Sequence, residues 1–246
     1  MGNNQVAIII PCYNEENRLR VDQIHSFLAL CQHIDLYMLN DGSTDGTLPL
    51  LQTLAQEIPS SIFIRDLEHN MGKAEVIRQG MHMLCGQTKY QYIGFIDADF
   101  SAPLTELLPL IEKIEQRKLL MIAGSRVKLL GRDINRSMFR HYFGRIFATY
   151  YSSILQLPNY DTQCGLKIFE TEFASKLFAE QFASNWFFDI ELFVRARIIL
   201  GKEQYALQIA EEPLQEWREV GGSKLKLSDF LKAPFEVLKI YSKYKS

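Results

Sequence analysis

Two aspartates one residue apart, Asp97 and Asp99, follow the apolar run Tyr92 to Ile96 and lead towards Pro103. On an extended strand their carboxylates point to opposite sides, whereas a loop beyond the strand end can turn them together. Hard oxygen donors in such a loop suit Mg2+ or Mn2+, which keep waters and take one or two carboxylates beside phosphate oxygens. The same pair also reads as a strand-end Asp followed by a helix-capping Asp. A second cluster, Asn40-Asp41-Gly42-Ser43-Thr44-Asp45-Gly46-Thr47, ends another apolar run and opens a helical pattern. Its glycines permit close backbone approach, and Asp41 can accept a hydrogen bond from a nucleobase N–H or serve only the turn. Asn70-Met71-Gly72-Lys73 places a cation at a helix start, where it meets a phosphate or stays solvated. No GxxxxGK[ST] occurs, so neither cluster is a P-loop.

The elements that must carry these clusters alternate. Val6 to Ile10 is a β-branched, apolar run, the pattern of a strand buried on both faces. A helical pattern from about Asn17 to Gln32 follows, with Ile24, Phe27, Leu28 and Cys31 on one face. Strands are predicted at Leu36 to Leu39, Ile62 to Arg65, Tyr92 to Ile96 and Leu119 to Ala123, with helices at Thr47 to Ile58, Lys73 to Cys85 and Leu104 to Ile114. Such alternation with short connections predicts a mostly parallel, doubly wound α/β sheet with helices on both faces. Ligands in such sheets bind beyond the carboxyl ends of the strands, where Pro11 to Glu15 and the three clusters fall.

The 246 residues suit one large domain. With 47% hydrophobic and 23% charged residues, a core of ordinary size needs no disulfide. A net charge of -2 argues against a whole-molecule nucleic-acid binder. The four cysteines are scattered without a CxxC pair and read as small buried hydrophobes. The polar start runs straight into a strand, so no signal peptide is expected, and no apolar run reaches the ~18 residues of a membrane span. After Gly124 basic residues and then aromatics crowd in without a linker, the character of an extension to one domain.

Taken in order, Pro11-Cys12-Tyr13-Asn14-Glu15, Asn40-Asp41-Gly42-Ser43, Asn70-Met71-Gly72-Lys73 and Asp97-Ala98-Asp99 resemble the family-2 glycosyltransferases. Gly124-Ser125-Arg126, Asp161 to Gly165, Trp186 to Leu192 and Glu216 to Lys224 are similar to the dolichyl-phosphate glucosyltransferase branch, with the mannose synthases further off. The resemblance implies a GT-A fold with a nucleotide-sugar-binding half at 1–125 and an acceptor-binding half at 126–246. It implies that Pro11, Tyr13, Glu15, Asp41, Lys73 and Asp97 line the nucleotide pocket and that Asp97 and Asp99 hold a divalent metal, Mg2+ or Mn2+. Arg126 and Arg218, with Ser223 and Lys224, would handle phosphates of donor and acceptor, the two arginines aiding catalysis. The implied reaction is inverting transfer of a single hexose, from UDP-glucose, to a polyprenyl phosphate. Three departures stand out: Asn40 replaces the first acid of D-D-G-S, Ser101 replaces a Gln of the mannose synthases, and the processive Q-x-x-R-W signature is absent.

A phosphate monoester is largely dianionic at neutral pH and hardly needs a base. A saccharide hydroxyl does, and Asp189 is the candidate for that alternative, its other role being a buried partner for an Arg. A sugar-1-phosphate nucleotidyltransferase, from another class, would want a Gly-rich basic loop where Pro11 to Glu15 stands. Met138 to Gln156 carries an aromatic stripe opposite arginines, and Ser228 to Ser246 is basic and amphipathic. Either segment suits a membrane interface, as a peripheral protein on the cytoplasmic face, or an ordinary packed helix.

Overall fold

The computed structural model describes residues 5–31, 33–135, 149–220 and 227–245. Its centre is a seven-stranded sheet. Strand β1 (Gln5–Cys12) pairs in parallel with β2 (Ile34–Asp41) and β4 (Tyr90–Ile96), and β2 pairs with β3 (Ile62–Leu67). On the far side, β7 (Leu166–Glu170) runs antiparallel between β4 and β5 (Met121–Ser125), and β8 (Ile209–Pro213) closes the order 3-2-1-4-7-5-8. A separate parallel pair joins β6 (Asp133–Asn135) to β9 (Glu216–Arg218). A strand from beyond residue 125 thus lies inside the main sheet.

The apolar run in β1 is explained by burial on both faces. Val6, Ile8 and Ile10 enter one core with α1 (Val21–Leu30), α2 (Thr47–Glu57) and α4 (Leu107–Arg117). Ala7 and Ile9 enter the other, with α3 (Lys73–Cys85), α6 (Thr171–Leu177) and α7 (Phe188–Gln208). Ile24, Phe27, Leu28 and Cys31 are all buried. The first helix starts at Val21 rather than near Asn17. The Glu15 carbonyl accepts the N–H groups of both Arg18 and Leu19 at 2.9 Å, which closes a turn first. The expected helix at 104–114 begins with a 3-10 turn at Leu104–Glu106.

The described end of the 138–156 stripe is a helix, α5 (149–155), and the remainder lies outside the described residues. Tyr151 is buried there and Ile154 and Leu155 pack on the core, so this end behaves as a packed helix. The C-terminal helix α8 (Leu227–Tyr244) is two-sided. Ala233, Val237 and Ile240 point inwards, while Phe235, Leu238 and Tyr241 are 73%, 49% and 36% exposed.

A buried polar knot anchors α8. Glu191 accepts Arg195 Nη2 at 2.8 Å, Tyr244 Oη at 2.7 Å, and the N–H groups of Ala183 and Ser184 at 2.7 and 3.2 Å. Arg195 donates onward to the carbonyls of Leu177, Glu180 and Gln181 and lies over the Phe182 ring. Removing one partner of a buried pair strands the other charge, so Arg195→Met is expected to lower unfolding stability by ~3–5 kcal/mol. Tyr244→Phe, which loses hydrogen bonds alone, should cost ~1 kcal/mol. Urea denaturation of both variants measures this, and an Arg195→Met loss no larger than that of Tyr244→Phe would refute it.

Candidate active site

A cavity of about 610 Å³ opens at the carboxyl ends of the parallel strands. Asp97 follows β4, and its N–H donates to the Gly165 carbonyl at 3.0 Å as the β4–β7 pairing continues one step. Phe100 has φ +45°, and its N–H bonds the Asp97 carbonyl at 3.1 Å. This tight turn carries Asp97 and Asp99 to the same cavity. Asp99 Oδ1 accepts the Ser101 N–H at 3.0 Å, which braces the turn rather than capping a helix, since the helical turn at Leu104–Glu106 is preceded by Pro103 without a side-chain cap. Its Oδ2 lies 3.4 Å from Arg18 Nη2, whose other amino group lies 3.4 Å from Glu15 Oε2.

Lys73, at the start of α3, reaches Asp97 Oδ1 at 2.5 Å and lies over the Phe188 ring. Burial alone would lower its pKa. Asp97, Asp189 and Asp99 outweigh that and hold it above the ordinary lysine value. The three carboxylates therefore favour the charged form of Lys73. Among the described residues no group of three or more His, Cys, Asp or Glu side chains gathers for a metal. Asp97 and Asp99 fit a Mg2+- or Mn2+-type site whose remaining ligands are phosphate and water.

The loops after β2 and β3 are laced together. Asp41 accepts the N–H groups of Met71 and Gly72 at 2.6 and 3.0 Å, so it braces the 70–73 turn while bordering the cavity. A Cβ on Gly42 would lie 2.7 Å from the Asn70 nitrogen, which requires glycine at this close approach. Asn40 donates to Asp66 Oδ1 at 2.7 Å from the neighbouring strand. An acid at 40 would set two carboxylates against each other, which accounts for the amide there. Pro11, Tyr13 and Glu15 line the same cavity, and the Glu15 N–H donates to Thr47 Oγ1 at 2.8 Å.

Arg126 borders the cavity with its guanidinium held in a fork by Asp161, at 2.7 Å from both Nε and Nη2. Burial would lower its pKa, and the Asp161 charge reverses this and raises it. Asp161 is itself fixed through its N–H by Glu211 at 2.7 Å. Arg218 does not join the cavity. It ends β9 between Trp217 and Glu219, which both border the cavity, and is itself 65% exposed beside Asp133 and Glu216. Ser223 and Lys224 lie outside the described residues.

Asp189 lies at the cavity with a buried cationic partner, Lys167 rather than an Arg. Lys167 and Arg18 stand in none of the sequence motifs, and Gly165 stands in one only as the end of Asp161 to Gly165, with no role marked for it. Arg18 lies 81 residues from Asp99 and Lys167 22 from Asp189, beyond any local pattern.

The sequence matches the family model described as glycosyl transferase family 2 over residues 7–178. Similar proteins include a dolichyl-phosphate beta-glucosyltransferase of Homo sapiens, 31% identical, the match spanning 90% of this chain and 69% of that protein. Another, of Trichomonas vaginalis, is 29% identical over 96% of this chain and 72% of its own. Among solved structures, glucosyl-3-phosphoglycerate synthase from Mycobacterium tuberculosis, in complex with Mn2+, UDP-glucose and phosphoglyceric acid, superposes with a TM-score of 0.67 at 18% identity, covering 97% of this chain and 80% of that one. Mannosyl-3-phosphoglycerate synthase from Rubrobacter xylanophilus gives 0.64 at 14%, covering 98% and 73%. The shared architecture is the GT-A fold.

A Cβ on Gly165 would lie 2.1 Å from Asp97 Oδ2, so Gly165→Ala must push that carboxylate aside. The expected result is at least about tenfold weaker Mn2+ binding in the presence of UDP, since metal sites with few protein ligands depend on each one. Calorimetric titration measures it, with thermal unfolding as the control for folding. An unchanged Mn2+ affinity would show that Asp97 is not held by this contact.

Proposed function

The chain belongs to glycosyl transferase family 2, and from this membership we propose inverting transfer of a single glucose from UDP-glucose to a polyprenyl phosphate. The observation that carries the reading is the joining, in one cavity, of Asp97 and Asp99 with Lys73, the Asp41-braced turn and the Asp161-held Arg126. The named activity of the dolichyl-phosphate glucosyltransferase relatives supports glucose and a lipid phosphate. The uridine-diphosphate-glucose and Mn2+ complexes of the structural neighbour support the donor and the metal.

In the proposed reaction an oxygen of the acceptor phosphate attacks the anomeric carbon as the bond to the UDP oxygen breaks. Asp97 and Asp99 would hold a divalent cation, which would neutralise the departing diphosphate. Ser101 N–H and Arg18 hold Asp99 in place for it. Arg126, pre-aimed by Asp161, meets phosphate charge without reorganising, the condition under which electrostatic stabilisation is strongest. The saccharide-acceptor reading needs Asp189 as a base. Its ion pair with Lys167 weighs against that. Family membership sets the nucleotidyltransferase reading aside.

We assign the membrane contact to the outer face of α8, where Phe235, Leu238 and Tyr241 lie beside Lys239 and Lys245. No helix among the described residues is long and apolar enough to cross a membrane. The protein would then sit peripherally on the cytoplasmic face, the two halves at 1–125 and 126–246 serving donor and acceptor.

Asp99→Asn is expected to abolish Mn2+-dependent transfer from labelled UDP-glucose to polyprenyl phosphate while leaving the unfolding temperature near the parent value. Near-normal turnover with Mn2+ present refutes the metal assignment. For the membrane contact, Phe235→Ser with Leu238→Ser should reduce co-sedimentation with anionic liposomes. Each juxtamembrane cation adds ~1 kcal/mol, so raised salt should weaken parent binding too. Parent-like sedimentation of the double variant would remove α8 from the interface.

A further inference from the structure

Lys167 stands on β7, the antiparallel strand between β4 and β5, with its side chain fully buried. Its ammonium donates to Asp189 Oδ1 at 2.5 Å and to the Cys164 carbonyl at 2.6 Å. The rings of Phe95 and Phe193 flank it at 5.4 and 5.9 Å. A charge in such a place persists only with a bound counter-ion, so lysine and aspartate behave as one unit. Asp189 borders the cavity, and its charge also acts on Lys73. Four other cavity carboxylates are engaged as well: Glu15 and Asp99 by Arg18, Asp97 by Lys73, and Asp41 by two backbone N–H groups.

We propose that Lys167 is a positioning residue that sets the class of acceptor: it fixes Asp189 as an ionised hydrogen-bond acceptor and so restricts the site to nucleophiles that arrive already ionised. This rests on the glycosyl-transfer reading above and deepens it. A general base must be able to take and keep a proton as the nucleophile attacks. Protonating Asp189 would leave the Lys167 ammonium buried without its anion, which opposes that step. A phosphate monoester makes no such demand. One of its oxygens forms the new bond with its own electron pair, the old anomeric C–O pair leaves with UDP, and no proton changes hands. Asp189 is left to accept a hydrogen bond from a sugar hydroxyl and hold the ring in register.

The test compares the parent with Lys167→Met, Lys167→Arg and the double variant Lys167→Met/Asp189→Asn. Each is given UDP-[14C]glucose and Mn2+ with either undecaprenyl phosphate or an alkyl glucoside, from pH 5.5 to 9.5. The parent is expected to label only the phosphate, its rate rising with the acceptor's second ionisation near pH ~6. Lys167→Met should lose roughly a hundredfold in kcat at pH 7, the scale of a misplaced active-site group, with the KM for UDP-glucose little changed. Lys167→Arg, which keeps the cation, should restore most of that loss. The double variant removes both buried charges and should regain thermal stability without regaining turnover, which separates positioning from folding.

A folded Lys167→Met with parent kcat and pH profile overturns the proposal, as does a double variant that regains turnover. Parent labelling of the alkyl glucoside overturns it too. If the parent labels neither acceptor yet transfers glucose to inorganic phosphate, the lipid-phosphate reading fails by itself and the restriction to ionised nucleophiles stands. Hydrolysis of UDP-glucose as fast as any transfer, water being a nucleophile that arrives un-ionised, overturns the proposal.

Discussion

Like charges crowded into one cavity must each be answered, and much of this molecule consists of the answers. Glu15, Asp41, Asp97, Asp99 and Asp189 border a single space. Unanswered, such a cluster would take up protons or push its strands apart. Arg18 comes from the turn after β1, Lys73 from the head of α3 and Lys167 from β7, so three separate elements deliver cations to the carboxyl ends of the sheet. The loops that carry these residues are consequently held in relation to one another by charge as much as by apolar contact.

The sheet order makes that delivery possible. With β1 between β2 and β4, the loops after all three strands open on the same space, as expected where strand order reverses in doubly wound folds. The antiparallel β7 adds what a purely parallel sheet would not. Its amino end meets the carboxyl end of β4, so Gly165 and Lys167 arrive beside Asp97 and Asp189 from the opposite chain direction. Arg126 emerges from β5 next door and is aimed by Asp161 and, behind it, Glu211 on β8.

Much of this was legible in the chain. Runs such as Val6 to Ile10 announce a strand with two buried faces, and Asp41, Lys73, Asp97 and Asp99 stand at element ends where only short-range reading is needed. What could not be read depends on distant pairing. Lys167 looks like the polar position of a half-exposed strand, yet it is among the most buried side chains described. Arg218 looks like a phosphate ligand beside Trp217, but in a three-residue strand its direction is set by the pairing of Asn135 with Arg218, which no local pattern reveals. Asn40 departs from an acidic motif, and the reason, Asp66 across from it, lies 26 residues away in the chain.

The place of β7 also orders events during synthesis. Strands β1 to β4 are complete when residue 96 has been made, but β4 keeps an open edge until Leu166 to Glu170 arrive about seventy residues later. At ~5–20 residues per second the nascent chain carries that unpaired edge for several seconds. Asp97 waits longer for Gly165 than Asp41 does for the 70–73 turn, and Lys167 is made 22 residues before its partner Asp189. The loops after β2 and β3 can therefore mature while the chain is still on the ribosome, and the centre of the cavity is among the last parts to acquire its shape.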